Sequence, residues 1–263
     1  MVPKFIHQIG PKNFDQWHPV WFDCQKSIKE NFKDFKYFFW NDEEDLYNFI
    51  KKKDIELLNF YESIDLQIIK IDLARLLVLY YYGGIYLDLD VFCFKNFFNE
   101  LKEENILEGH LTHEKVHNAI IAVKPKSDYI KECINTCKKN YLKEKDYLKF
   151  SFKVSKYKTP EINEFLVNKI SGPMLLSEVI KKFKNINILK KQFYHGTPFQ
   201  YNKNLKTKHM LTGVWGKECY ENMKHNKNVR NLNHLNNSEY FKLDYLENKG
   251  IDLDSFNYFK NYE

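Results

Sequence analysis

Through the first hundred residues, short apolar runs alternate with amphipathic stretches, and this alternation sets the expected elements. Phe5-Ile-His-Gln-Ile9 reads as a strand closed by Gly10-Pro11, and Pro19 opens an amphipathic helix to about Phe32. Phe35 to Trp40 reads as a second strand. Asn41 then offers a helix N-cap with acidic residues behind it, which predicts a helix to about Lys53. From Ile64 to Tyr82 the chain is strongly apolar, with Ile69, Leu73, Leu76 and Tyr80 at helical spacing. Gly83-Gly84 stops this helix, and Ile85 to Val91 reads as a buried strand.

Further on, Asn118 to Val123 predicts a strand ended by Pro125, and helices are expected over 127–140, 160–170 and 173–184. Beyond residue 220 the chain turns polar, with short amphipathic helices near 239–248 and 253–262. Strands alternating with helices predict an α/β sheet domain. The expected division is a core domain over 1–220 and a mainly helical extension over 221–263.

Composition narrows the function classes. With 43% hydrophobic residues, disorder is not expected. The net charge of +6 is mild and interspersed, which suits phosphorylated small molecules and lacks the basic face of a nucleic-acid binder. The cysteines at 24, 93, 133, 137 and 219 are odd in number and form no CxxC pair, so Cys133 and Cys137 read as packing thiols and a reducing compartment is expected. Met1-Val-Pro-Lys4 leads straight into a strand pattern, so no signal peptide is read. The run Leu76 to Leu87 is too short to span a bilayer. A soluble, cytoplasmic protein is expected.

The chemistry centres on four charged residues. Asp72 and Arg75 are the only charges between 72 and 87, three apart on an otherwise apolar helix, so each needs a partner. A salt bridge between the two is one sufficient explanation. Asp88 and Asp90, alternating on a strand, would point to one face, where two like charges call for a cation or a shared proton. A hard divalent ion with oxygen ligands is the natural relief.

The order Asp72-x-x-Arg75, apolar helix, Gly83-Gly84, Tyr86-x-Asp88-x-Asp90 resembles the DXD-motif sugar transferases (glycosyltransferase family 32 and its kin). These include initiating α-1,6-mannosyltransferases and capsule or lipopolysaccharide sugar transferases, and glucosylating toxin domains share the spacing. Pro3 to Ile9, Asn118 to Pro125, Gly172-Pro173 and His209 to Trp215 resemble further motifs of that family, with Val214 where it has serine. The resemblance implies a GT-A fold, a Rossmann-like sheet binding a nucleotide-sugar at the carboxyl ends of its strands. It also implies retaining transfer of a hexose to an acceptor hydroxyl, with Mn²⁺ or Mg²⁺ as cofactor and UDP-sugars favoured over GDP-sugars. Asp72 and Arg75 would hold donor hydroxyls, and Asp88 and Asp90 would bind metal, Asp88 also touching the donor. His209 would join the metal ligands and the closure over the diphosphate. Gln8, Ile9, Tyr86, Asn118 and Trp215 would line the nucleotide-sugar site. The acceptor would be a glycan, lipid or protein, with peripheral membrane contact left open.

Two rivals stand beside this. His113-Glu114-Lys-Val-His117 is a literal HExxH zinc-hydrolase pattern, which requires a helix, although Gly109 and a β-rich run flank it here. A catalytically inactive sugar or nucleotide binder on the same fold is the other. Trp17, Trp21 and Trp40 read as core residues, and His7 as a hydrogen-bonded strand residue.

Overall fold

The computed structural model describes residues 1–109, 115–155, 160–195, 204–210 and 212. Strand β1 (Phe5–Gly10), helix α1 (Pro19–Asn31), strand β2 (Lys36–Asn41) and helix α2 (Glu44–Lys53) follow the predicted order. Asn41 caps α2 from within the preceding strand end, its Oδ1 accepting from the amides of Glu43, Glu44 and Asp45. Helix α3 (Ile55–Glu62) was not anticipated. Asp54 caps it through Leu57 N–H at 2.9 Å. Helix α4 (Gln67–Tyr82) starts three residues later than its pattern suggested, and strand β3 (Gly84–Leu87) follows.

Strands β4 (Val91–Cys93), β5 (Glu104–Glu108) and β6 (Val116–Val123) come next, then helices α5 (Asp128–Ser155), α6 (Pro160–Ile170) and α7 (Pro173–Val179). Helix α5 runs well beyond the predicted end at 140. Helix α7 is shorter than predicted, tightening into a 3₁₀ turn at Ile180–Lys182. Strand β7 (Asn187–Leu189), helix α8 (Lys191–Tyr194) and strand β8 (Thr207–His209) complete the described elements. The helices expected past 239, and the 221–263 extension, lie outside the described residues. Among the described residues no helix is long and apolar enough to cross a membrane.

Six strands form a mixed sheet in the order β2-β1-β3-β6-β5-β7, and β4 pairs with β8 in a separate antiparallel ribbon. Strands β1, β2 and β3 run parallel, so Gly10, Asn41 and Leu87 end at one edge, where antiparallel β6 begins. Alternation along β3 sends Ile85 and Leu87 to the α1 side of the sheet and Tyr86 to the α4 side. Helix α4 is apolar nearly all round because it is buried all round, and it packs against α5, β1 and β3. It hands the chain to β3 through Gly83 (φ +64°) and Gly84 (φ +101°). A Cβ at Gly83 would lie 2.6 Å from the Pro125 nitrogen, and one at Gly84 would lie 2.7 Å from the Phe5 carbonyl oxygen. The four described cysteines are buried and free, Cys133 and Cys137 packing inside the α4 core.

His7, fully buried on β1, ties that hinge to the sheet. Trp40 Nε1–H can only donate, and it does so to His7 Nδ1 at 3.2 Å, which leaves Nε2–H to donate to the Gly83 carbonyl at 2.9 Å. Burial outweighs the Gly83 carbonyl and pushes the imidazole down to about 4 from its ordinary 6.5. Protonation would also set an N–H against the Trp40 N–H. A folded-state value below the unfolded one means stability is complete above pH 6.5 and falls as pH drops toward 4. Urea unfolding at pH 7 and 4.5 is expected to show a His7 contribution of about 2–3 kcal/mol lost over that interval. His7→Gln should have a correspondingly flatter pH profile, and an unchanged slope would refute this account.

Candidate active site

The carboxyl edge of β1 and β3 gathers the four charged residues singled out in the sequence. Asp72 and Arg75, on the second and third turns of α4, are 3% and 4% exposed. Arg75 Nη2 lies 2.8 Å from Asp72 Oδ1, and Nη1 lies 2.8 Å from Asp88 Oδ1 and donates to the Asn118 carbonyl at 3.1 Å. The guanidinium stacks 4.8 Å from the centre of the Tyr86 ring, whose hydroxyl donates to Asp88 Oδ1 at 2.8 Å. Asp72 accepts further from Asn118 Nδ2 at 2.9 Å and from the Ser171 hydroxyl at 2.8 Å. Burial pushes the Asp72 carboxyl up, against the pull of Arg75 and Ser171. Burial also disfavours the Arg75 charge, yet Asp88, Tyr86 and Asp72 outweigh it and hold the guanidinium firmly protonated. The pair is therefore a salt bridge, as the helix spacing suggested, and one that reaches on to Asp88.

Asp88 and Asp90 converge by a route other than strand alternation. The strand expected over 85–91 ends at Leu87. Leu89-Asp90 form a turn, with Val91 N–H donating to the Asp88 carbonyl at 3.1 Å, before β4 resumes. Asp88 N–H stays tied to the Ala119 carbonyl of β6. The turn places Asp90 against β8, where His209 Nε2 lies 3.0 Å from Asp90 Oδ1. Asp90 Oδ2 accepts from Thr212 N–H at 2.9 Å and from the Thr212 hydroxyl at 3.0 Å. Burial alone would raise the Asp90 carboxyl, but His209 and Thr212 outweigh it and hold it well below the usual range. Burial would lower His209, and Asp90 reverses that.

One ligand atom from each of Asp88, Asp90 and His209 can be chosen so that all three lie within 4.8 Å of one another. Two carboxylates and an imidazole form a donor set that suits a divalent ion of the Mn²⁺ or Mg²⁺ kind. The buried His209 Nδ1 also has no hydrogen-bond partner. The residues present thus fit a cation.

Gln8 is fully buried and donates to the Asp88 carbonyl at 3.2 Å while accepting from the Tyr37 hydroxyl at 2.6 Å. The Ile9 side chain packs into the core that surrounds α4. Asn118 bridges Asp72 and Arg75. Trp215 and Val214 lie outside the described residues. So do His113 and Glu114 of the HExxH pattern, but Val116 and His117 open strand β6, so its second half is not on the helix that zinc chemistry needs. His117 instead sits with His195 and His209 in a cluster whose ring centroids are 5.2–5.9 Å apart. Sequence reasoning missed Ser171, Thr212 and His195. Ser171 adjoins the Gly172-Pro173 motif and Thr212 lies inside the His209–Trp215 stretch, so both had a readable neighbour. From the sequence Trp21 reads as a core residue. It is buried, and its Nε1–H also donates to the Thr212 hydroxyl at 3.2 Å.

Residues 19–108 match the family described as glycosyltransferase sugar-binding region containing DXD motif. An inositol phosphoceramide mannosyltransferase of Schizosaccharomyces pombe is 39% identical over 92 residues, covering 35% of this chain and 25% of that protein. An uncharacterized glycosyltransferase of Acanthamoeba polyphaga mimivirus is 31% identical over 150 residues, covering 49% of this chain and 54% of that one. The matched stretches thus span about half or less of these relatives. The solved PaToxG glycosyltransferase superposes with a TM-score of 0.51 at 16% identity, over 91% of this chain and 85% of that one, which is a likeness of fold. Residues 19–108, with Asp72, Arg75, Asp88 and Asp90 among them, thus resemble a DXD-type glycosyltransferase sugar-binding region, and the α/β fold that carries them is of the GT-A kind.

Proposed function

We propose that the chain is a metal-dependent glycosyltransferase that moves a hexose from a nucleotide-sugar to an acceptor hydroxyl with retention. The observation that carries this reading is the meeting of Asp88, Asp90 and His209 directly beside the buried Asp72–Arg75–Asp88 chain. Asp90 and His209 are assigned as metal ligands. Asp88 is shared: Arg75 and Tyr86 occupy its Oδ1, and its side chain is 20% exposed, which leaves Oδ2 for cation and donor. A bound Mn²⁺ or Mg²⁺ would supply charge neutralisation for the departing diphosphate.

The chain's own groups would do the rest. Arg75 and Asp72 orient the sugar hydroxyls, Asn118 keeps that pair in register, and Gln8 and Tyr86 border the nucleotide. The acceptor oxygen then bonds to the anomeric carbon on the face the diphosphate leaves, and the departing phosphate oxygen takes the acceptor proton. The catalytic unit is assigned to 1–220. A glycan, lipid or protein acceptor fits this chemistry, and the inositol phosphoceramide mannosyltransferase relative favours a lipid with a polyol headgroup.

Thermal-shift and hydrolysis screening of UDP- and GDP-sugars, with and without Mn²⁺, tests the reading. The expected result is stabilisation and slow hydrolysis of one donor class, UDP-linked by preference, only when the cation is present. Absence of both effects for every donor would overturn it, and binding without hydrolysis or transfer would favour the inactive binder.

A further inference from the structure

The Asp90 carboxylate is oriented by a hydrogen-bond chain that begins on α1, far from the acidic turn in sequence. An indole N–H donates and has no lone pair to offer. Trp21 Nε1–H, 3.2 Å from Thr212 Oγ1, therefore obliges that hydroxyl to accept from the indole and to send its own proton elsewhere. The atom in reach is Asp90 Oδ2, 3.0 Å away, which also receives the Thr212 amide at 2.9 Å. Met210 N–H holds the Asp90 backbone carbonyl at 2.8 Å, so Met210 and Thr212 grip this residue at main chain and side chain together. All of the partners are buried: Trp21 is 8% exposed, Thr212 7% and Asp90 8%. With two donors on Oδ2, the oxygen turned toward His209 is Oδ1.

We infer that Thr212 and Trp21 are positioning residues that select Oδ1 of Asp90 as the single oxygen it presents to a cation, making Asp90 a one-oxygen ligand. This rests on the metal-site reading above and deepens it, since it names the groups behind the ligands. Partners of this kind commonly set metal affinity by about 10–100-fold, because a carboxylate free to rotate must be ordered when the ion binds.

The experiment is a Mn²⁺ titration by calorimetry, with no donor present, on the wild type, Thr212→Val, Thr212→Ser and Trp21→Phe. Valine keeps the shape and the amide but removes the hydroxyl, so the dissociation constant for Mn²⁺ should rise about tenfold. Serine restores the hydroxyl and should return it to within about twofold of wild type. Trp21→Phe keeps an aromatic ring without the N–H and should weaken binding in the same direction, by less. A fall in melting temperature in Thr212→Val with wild-type Mn²⁺ affinity would mean a merely structural role and overturn the inference, leaving the metal site intact. Wild-type protein that binds no Mn²⁺ would remove the metal reading and this one together. If Thr212→Val does not fold, unchanged affinity in Trp21→Phe overturns the inference by itself.

Discussion

Asp90→Asn is expected to lower metal-dependent turnover by about a thousandfold, the scale of several kcal/mol of lost charge stabilisation, and to weaken Mn²⁺ binding in parallel. Asparagine keeps the size of the side chain and one carbonyl oxygen, so Thr212 can still donate to it and the turn after β3 need not move. What disappears is the negative charge. His209 loses the neighbour that raises it, and burial then favours the neutral imidazole. Of the two turn carboxylates, only Asp88 is left to a cation, and Arg75 already satisfies half of it. Activity measured across a Mn²⁺ series separates the two effects. A variant restored to wild-type turnover by excess metal would make Asp90 an affinity residue alone. One with wild-type turnover at every concentration would dismiss it as a ligand.

The contrast between Asp90 and its partners explains how far the site was legible. The four charged residues stand out because an apolar stretch of chain has no other reason to contain them, and burial of Asp72 and Arg75 follows from the same pattern. The geometry joining Asp88 to Asp90 was not legible. Alternation along a strand and a turn at its end both bring residues i and i+2 together, and the difference depends on where β6 stops pairing with β3. His209 reaches the site because two three-residue strands, β4 and β8, pair across more than a hundred residues. Segments that short show no period, and the same reason hid β7. Helix α3 carried a readable cap at Asp54, but its eight residues lie between two longer helices with only short connections to separate them. Up to β3 the predicted and observed order agree apart from that helix, whereas β4 and β5 beyond it were not read from the sequence.

Arg75→Met is expected to destabilise the protein by about 3–5 kcal/mol, the cost of stranding a buried carboxylate. Arg75 is a counter-ion for both Asp72 and Asp88 and fills the space against Tyr86. A lysine could not replace it, since one ammonium cannot meet both carboxylates and the Asn118 carbonyl in the geometry of a planar fork. Methionine fills much of that space without charge. Asp72 then has Asn118 and Ser171 to donate to it but no cation, in a place where burial already pushes its carboxyl up. Adding Asp72→Asn to Arg75→Met removes that stranded charge while an amide oxygen still accepts from Ser171. The double variant should therefore be less destabilised than the sum of the single ones, by about 1–3 kcal/mol. Urea unfolding of the four proteins at pH 7 reads this coupling directly. Strict additivity would show that Asp72 and Arg75 are not stabilised through each other. The double variant is expected to fold yet stay inactive, because Asp88 Oδ1 keeps only the Tyr86 hydroxyl and neither the guanidinium nor the Asp72 carboxylate is left to meet the donor hydroxyls. Recovered stability without recovered turnover would thus separate the structural role of the α4 pair from its part in transfer.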